Sequence, residues 1–113
     1  MVEYIVSLSL LLGSASSQAK GCINVIGELA LWNSHPPFLR VTLSGSSKVY
    51  GVLQAGEEPA SDAIPITLYS EVMEGSYRVN GKFCIEKLGS FTKIPYSNND
   101  IEYVKIKRFS AIN

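Results

Sequence analysis

After residue 20 the chain is dominated by short runs of alternating apolar and polar residues, broken by clusters of Gly, Pro, Asn and Ser. Alternation with period two marks a half-buried strand. The first run covers residues 22–31 and ends at Trp32-Asn33-Ser34-His35-Pro36-Pro37. Residues 38–43 follow, with Leu39, Val41 and Leu43 on one face, and Ser44-Gly45-Ser46-Ser47 makes a turn. Residues 49–54 come next, then a loop over 55–59. Residues 64–69 read as extended, and Pro65 places them at an edge or near a strand start. Asn80-Gly81 is a turn pair, which leaves residues 82–86 as a strand with Phe83 and Ile85 facing one way. Residues 91–94 are a short run, and residues 101–109 set Val104 and Ile106 opposite Tyr103, Lys105 and Lys107. No stretch carries apolar residues at helical spacing over three turns, so no helix is expected after residue 20. About seven short strands at this spacing predict an all-β fold, an antiparallel β-sandwich.

The N-terminus bears on the compartment. Residues 5–12 are an apolar run followed by small residues through Ala19, with Ala15/Ser17 and Ser17/Ala19 offering the small pairs a signal peptidase reads. Residues 1–19 therefore read as a secretory signal peptide and residues 20–113 as a single β-sandwich domain. The run is too short for a membrane span. Against this, Met1-Val2-Glu3-Tyr4 has no basic residue, and Val6, Leu8 and Leu10 alternate with Ser7 and Ser9 as a strand would. Residues 1–12 retained as a strand are the alternative.

Composition narrows the function classes. At 46% hydrophobic and 18% charged residues, the 113-residue chain is an ordinary globular domain rather than a disordered one. Lys+Arg and Asp+Glu cancel at 10 each, which argues against a nucleic-acid module. The charges are uneven: Glu57, Glu58, Asp62, Glu71 and Glu74 fall in a stretch without a base, whereas residues 78–108 carry seven bases against three acids. Solvated faces account for such a pattern. Cys22 and Cys84 are an even pair, which in a secreted chain suggests one disulfide and in a cytosolic one two buried thiols.

Several segments resemble the transthyretin-like, or prealbumin-like, secreted β-sandwich family. Val25-Ile26-Gly27-Glu28-Leu29 leads through Pro36-Pro37 to Val41-Thr42-Leu43, like the family's opening. Val79-Asn80-Gly81-Lys82-Phe83 matches its turn followed by an aromatic, and Glu102-Tyr103-Val104-Lys105 its Tyr-x-Lys strand. The resemblance covers residues 22–109 and implies a sandwich acting as an extracellular binding or carrier module. One branch hydrolyses a purine breakdown product, using several His and Arg residues and a C-terminal Tyr-Arg-Gly-Ser. This chain has one histidine and ends Phe109-Ser110-Ala111-Ile112-Asn113, so the resemblance does not extend to that activity.

No catalytic, cofactor-binding or metal-binding constellation is read. His35 stands alone in a Pro-rich turn, and a metal site wants three or four ligands. Ser17-Gln18-Ala19-Lys20 matches a Ser-x-x-Lys string but falls in the signal-like region, and no nucleophile elbow or phosphate loop occurs. Two contact surfaces remain. Trp32, His35 and Phe38 form an aromatic, Pro-rich loop, which could equally be a plug over the core. Tyr103, Lys105 and Lys107 line one strand face, where they could bind an anionic partner or simply discourage edge pairing. The expected function is a secreted, non-catalytic binding module for an extracellular protein, lipid or small apolar ligand. It would have no cofactor, no nucleic-acid partner and no transmembrane span. The alternative is a structural or assembly protein forming homo-oligomers through exposed strand edges.

Overall fold

The computed structural model describes residues 21–33, 37–93 and 100–112. The expected signal peptide at 1–19, and its alternative as a strand over 1–12, lie outside the described residues. The main strands are β1 (Ile23–Trp32), β2 (Phe38–Leu43), β3 (Val49–Val52), β6 (Arg78–Lys93) and β7 (Asp100–Ala111). A small hairpin, β4 (Gln54–Ala55) with β5 (Glu58–Pro59), and a helix, α1 (Ile66–Glu74), lie between β3 and β6.

The five main strands close on themselves in the order β1-β2-β3-β7-β6. The expected open sandwich is thus overturned, together with the sandwich that the family resemblance implied. The pairing that closes the cylinder is parallel, β3 against β7, with Gly51 opposite Tyr103. Period-two alternation specifies which face of a strand is buried but not which strand lies beside it, so sandwich and barrel share one pattern. A five-stranded Greek-key barrel of this kind is the OB-type architecture, which hosts many unrelated functions.

Two glycines permit close strand packing on either side of the β1–β6 seam, against β2 and β7. Gly27 and Gly81 are register partners across it. A Cβ on Gly27 would run into the Thr42 carbonyl, and one on Gly81 would lie 2.5 Å from the Phe109 ring and 2.6 Å from the Ser110 oxygen. Asn80-Gly81 therefore lies within β6, near its start, and is not the expected turn: the glycine is there for close backbone approach. Phe109, seated against that gap, stacks on Phe83 at 5.3 Å between ring centroids. Register shifts between Cys84 and Ile85 and between Lys87 and Phe91 bend the long β6–β7 ribbon.

The helix is the second correction. Residues 64–69 were expected to be extended, yet α1 starts directly after Pro65, whose φ of −60° suits a helix entry. Leu68 and Val72, four apart, are its buried face, and Ile66 is turned to solvent. A helix of 9 residues is too short to show three turns of periodicity. The core joins Leu68 and Val72 to Leu29, Leu39, Val41, Val52, Phe83, Ile85, Val104 and Ile106. The expected inward faces of β2 and β7 are thus in the core.

Cys22 and Cys84 form a disulfide, with Cα atoms 5.2 Å apart. It ties the entry of β1 to β6 beside the Arg108 guanidinium, whose Nη2 lies 3.5 Å from the Cys84 sulfur. Such a bridge fits an oxidising compartment. Among the described residues, no helix is long and apolar enough to cross a membrane.

Candidate functional site

Two features of the barrel offer themselves to a ligand or partner. The first is on the outer wall of β1, β2, β3 and β7. Register places Trp32 opposite Phe38, Arg40 opposite Gly51, and Gly51 opposite Tyr103. These positions alternate with the inward Leu39, Val41, Val52 and Val104, so their side chains project from the barrel. Gly51 leaves the space that Phe38 fills: a Cβ there would lie 2.5 Å from the Phe38 ring and 3.1 Å from Ile101. Phe38 meets Tyr103 edge to face, with centroids 6.1 Å apart.

Arg40 is the centre of this cluster. Its guanidinium carbon stands 4.4 Å from the Trp32 ring centroid and 5.5 Å from that of Phe38. The side chain is 6% exposed, while Trp32 is 46% exposed and forms the outer lid. Among the described residues no carboxylate pairs with Arg40, and its buried Nε has no hydrogen-bond partner. Burial pushes the guanidinium pKa down.

Of the contact residues expected from the sequence, Trp32, Phe38 and Tyr103 are brought together, and His35 lies outside the described residues. The two lysines of the other candidate surface each have an acidic neighbour. Lys105 Nζ donates to the Asp62 carboxylate at 2.7 Å, and Lys107 lies 3.9 Å from Glu86. The hydrogen bond holds the Asp62 carboxyl below its ordinary value and the Lys105 ammonium above it. Arg40 was missed, although a lone Arg alternating with Leu39 and Val41 beside two aromatics is a readable signal.

The second feature is a cavity of about 320 Å³ at one end of the barrel. Leu31, Leu39 and Val52 come from the ends of β1, β2 and β3, and Tyr69 and Met73 from α1. The β4–β5 hairpin contributes Gln54, Glu57, Glu58 and Pro59. That hairpin occupies the expected loop over 55–59, its turn resting on Gly56 with φ of 71°. It is anchored where the Leu53 N–H donates to the Val104 carbonyl and the Ala60 N–H to the Leu53 carbonyl. Gln54 Nε2 donates to the Pro37 carbonyl at 2.7 Å. The floor is apolar, and the acidic pair stands at the rim. No one segment of the sequence encodes this space, because its walls come from residues 31 to 73 in separate elements.

No protein-family model, no curated protein and no solved structure matches the chain.

Proposed function

We propose that the chain is a secreted, non-catalytic binding module that holds a small apolar ligand in the cavity at the barrel end. The observation that carries this reading is the cavity itself. It has an apolar floor of Leu31, Leu39, Val52 and Met73 and a few polar groups at its rim, in the lower range of ligand-site volumes. Burial of hydrocarbon against such a floor supplies the driving force. The Cys22–Cys84 bridge supports secretion, since thiols of a reducing cytosol rarely stay paired.

Isothermal calorimetry with octanol tests the reading. The wild type binds one equivalent saturably, and Met73→Trp, which puts a large ring into the space, does not. Equal heats from the two proteins sink the cavity reading. Secretion is tested by intact mass of the protein from its native source: loss of residues 1–19 supports it, and a full-length mass removes it.

A second reading rests on the outer wall. A half-exposed Trp32 laid over a buried guanidinium that has no carboxylate partner among the described residues is a surface that a protein partner could cover. The assembly alternative gains no support from the fold, because closure gives β1, β2 and β3 a neighbour on both sides.

A further inference from the structure

The polar groups around the barrel-end cavity share one electrostatic sense. Glu57 and Glu58 bring two carboxylates to its rim, and among the described residues no Lys, Arg or His lines it. Gln54 has its amide nitrogen turned to the Pro37 carbonyl, so its other end is an acceptor. The sequence contains no base between Lys48 and Arg78. Lys105 is bound to Asp62 and does not line the cavity. Among the described residues, neither Glu57 nor Glu58 has an ion-pair partner.

The adjacent rim acids have a structural origin. In extended chain, neighbouring side chains point to opposite faces. Here Glu57 is in the turn of the β4–β5 hairpin and Glu58 begins β5, so the bend lets both line one space. An apolar body in this cavity therefore meets acceptors and negative charge at its exit. A carboxylate or phosphate head is repelled there, a neutral head gains little, and an ammonium is attracted without being stripped of water.

We propose that the cavity selects a small apolar amine, its hydrocarbon part against Leu39, Val52 and Met73 and its ammonium at the rim between Glu57 and Glu58. This rests on the cavity reading given under the proposed function and adds the chemical class of the ligand.

Octylamine, octanol and octanoate, titrated separately by calorimetry near neutral pH, test it. Octylamine is expected to bind about tenfold tighter than octanol, the scale of two exposed charge pairs, with octanoate the weakest. The octylamine-to-octanol ratio falls towards one in Glu57→Gln/Glu58→Gln and in high salt. A ratio of two ligands on one protein is insensitive to any change in the folded fraction. If octanol binds the wild type and octylamine binds no tighter, amine selection is overturned while the cavity reading survives. If the ratio persists in the double variant, the rim acids are not its source and the proposal fails. If none of the three ligands binds, the cavity reading falls and this inference with it.

Discussion

The disulfide is the cross-link whose removal the fold should feel most. Cys22 and Cys84 are 62 positions apart in sequence, and their Cα atoms are 5.2 Å apart across the seam where β1 meets β6. Pinning the two ends of a loop that long removes conformational freedom from the unfolded chain, worth about 4 kcal/mol in the chain-entropy account. That is a large share of the ~5–15 kcal/mol by which domains are stable. Cys84 is buried, so Ala is the suitable replacement at both sites, because a serine hydroxyl there would need a partner. With a urea slope of about 1–1.5 kcal/mol/M for a domain this small, Cys22→Ala/Cys84→Ala lowers the urea midpoint by about 3 M. The slope itself rises, since the unlinked chain exposes more surface when it unfolds. Urea titration followed by far-ultraviolet circular dichroism reads both numbers. A midpoint shift below about 1 M refutes the reasoning, because it shows that the unfolded chain is already restrained. A large shift at constant slope refutes it differently, by placing the effect in folded-state packing around Cys84 and Arg108.

Three further outcomes follow from the geometry. Gly51→Val drives a side chain into the Phe38 ring and Ile101, and a thermal melt should show about 1–3 kcal/mol of lost stability; an unchanged melting temperature means that Phe38 does not need the gap. Arg40→Met removes a buried charge with no carboxylate among its described neighbours, so stability stays level or rises by up to ~2 kcal/mol; a comparable loss in urea titration speaks against the unpaired state. The Asp62 carboxyl is held low by the hydrogen bond from Lys105, so it adds stability that is present above the ordinary carboxylate pKa and lost as pH falls through the folded value. Asp62→Asn should therefore lose less stability than the wild type between about pH 5 and about pH 2.5; parallel urea midpoints for the two proteins across that range count against the pair.

Local features of the fold were legible where one residue type has one structural consequence. Phe38–Leu43 reads as a strand because Leu39 and Val41 alternate with polar or outward positions, and it is β2. Val104 and Ile106 declare the inner face of β7 in the same way. Asn80-Gly81 misled because a glycine answers two needs, positive φ in a turn and absence of a Cβ at a crossing, and here the Phe109 ring decides for the second. The helix was hidden because its buried face is Leu68 and Val72 alone, and Ile64 and Ile66 simulate an alternating run ahead of it. Barrel closure depends on Gly51 meeting Tyr103, a pairing that no local pattern contains. The candidate sites divide along the same line. Trp32 and Phe38 flank one loop and were found together, whereas the cavity takes walls from four parts of the chain.

The place of β7 in the hydrogen-bonding order bears on how such a chain is made. It is the last described strand in sequence, yet it lies between β3 and β6. While a ribosome is still delivering residues 100–111, or while they are still threading through an export pore, β3 and β6 each show a naked edge. Only the β1–β2–β3 meander and the β1–β6 seam can form early. Premature termination anywhere upstream of β7 thus yields a sticky, unclosed product instead of a slightly weakened barrel. Quality-control machinery that senses bare strand edges would in this way distinguish finished copies from unfinished ones without reading any signal sequence.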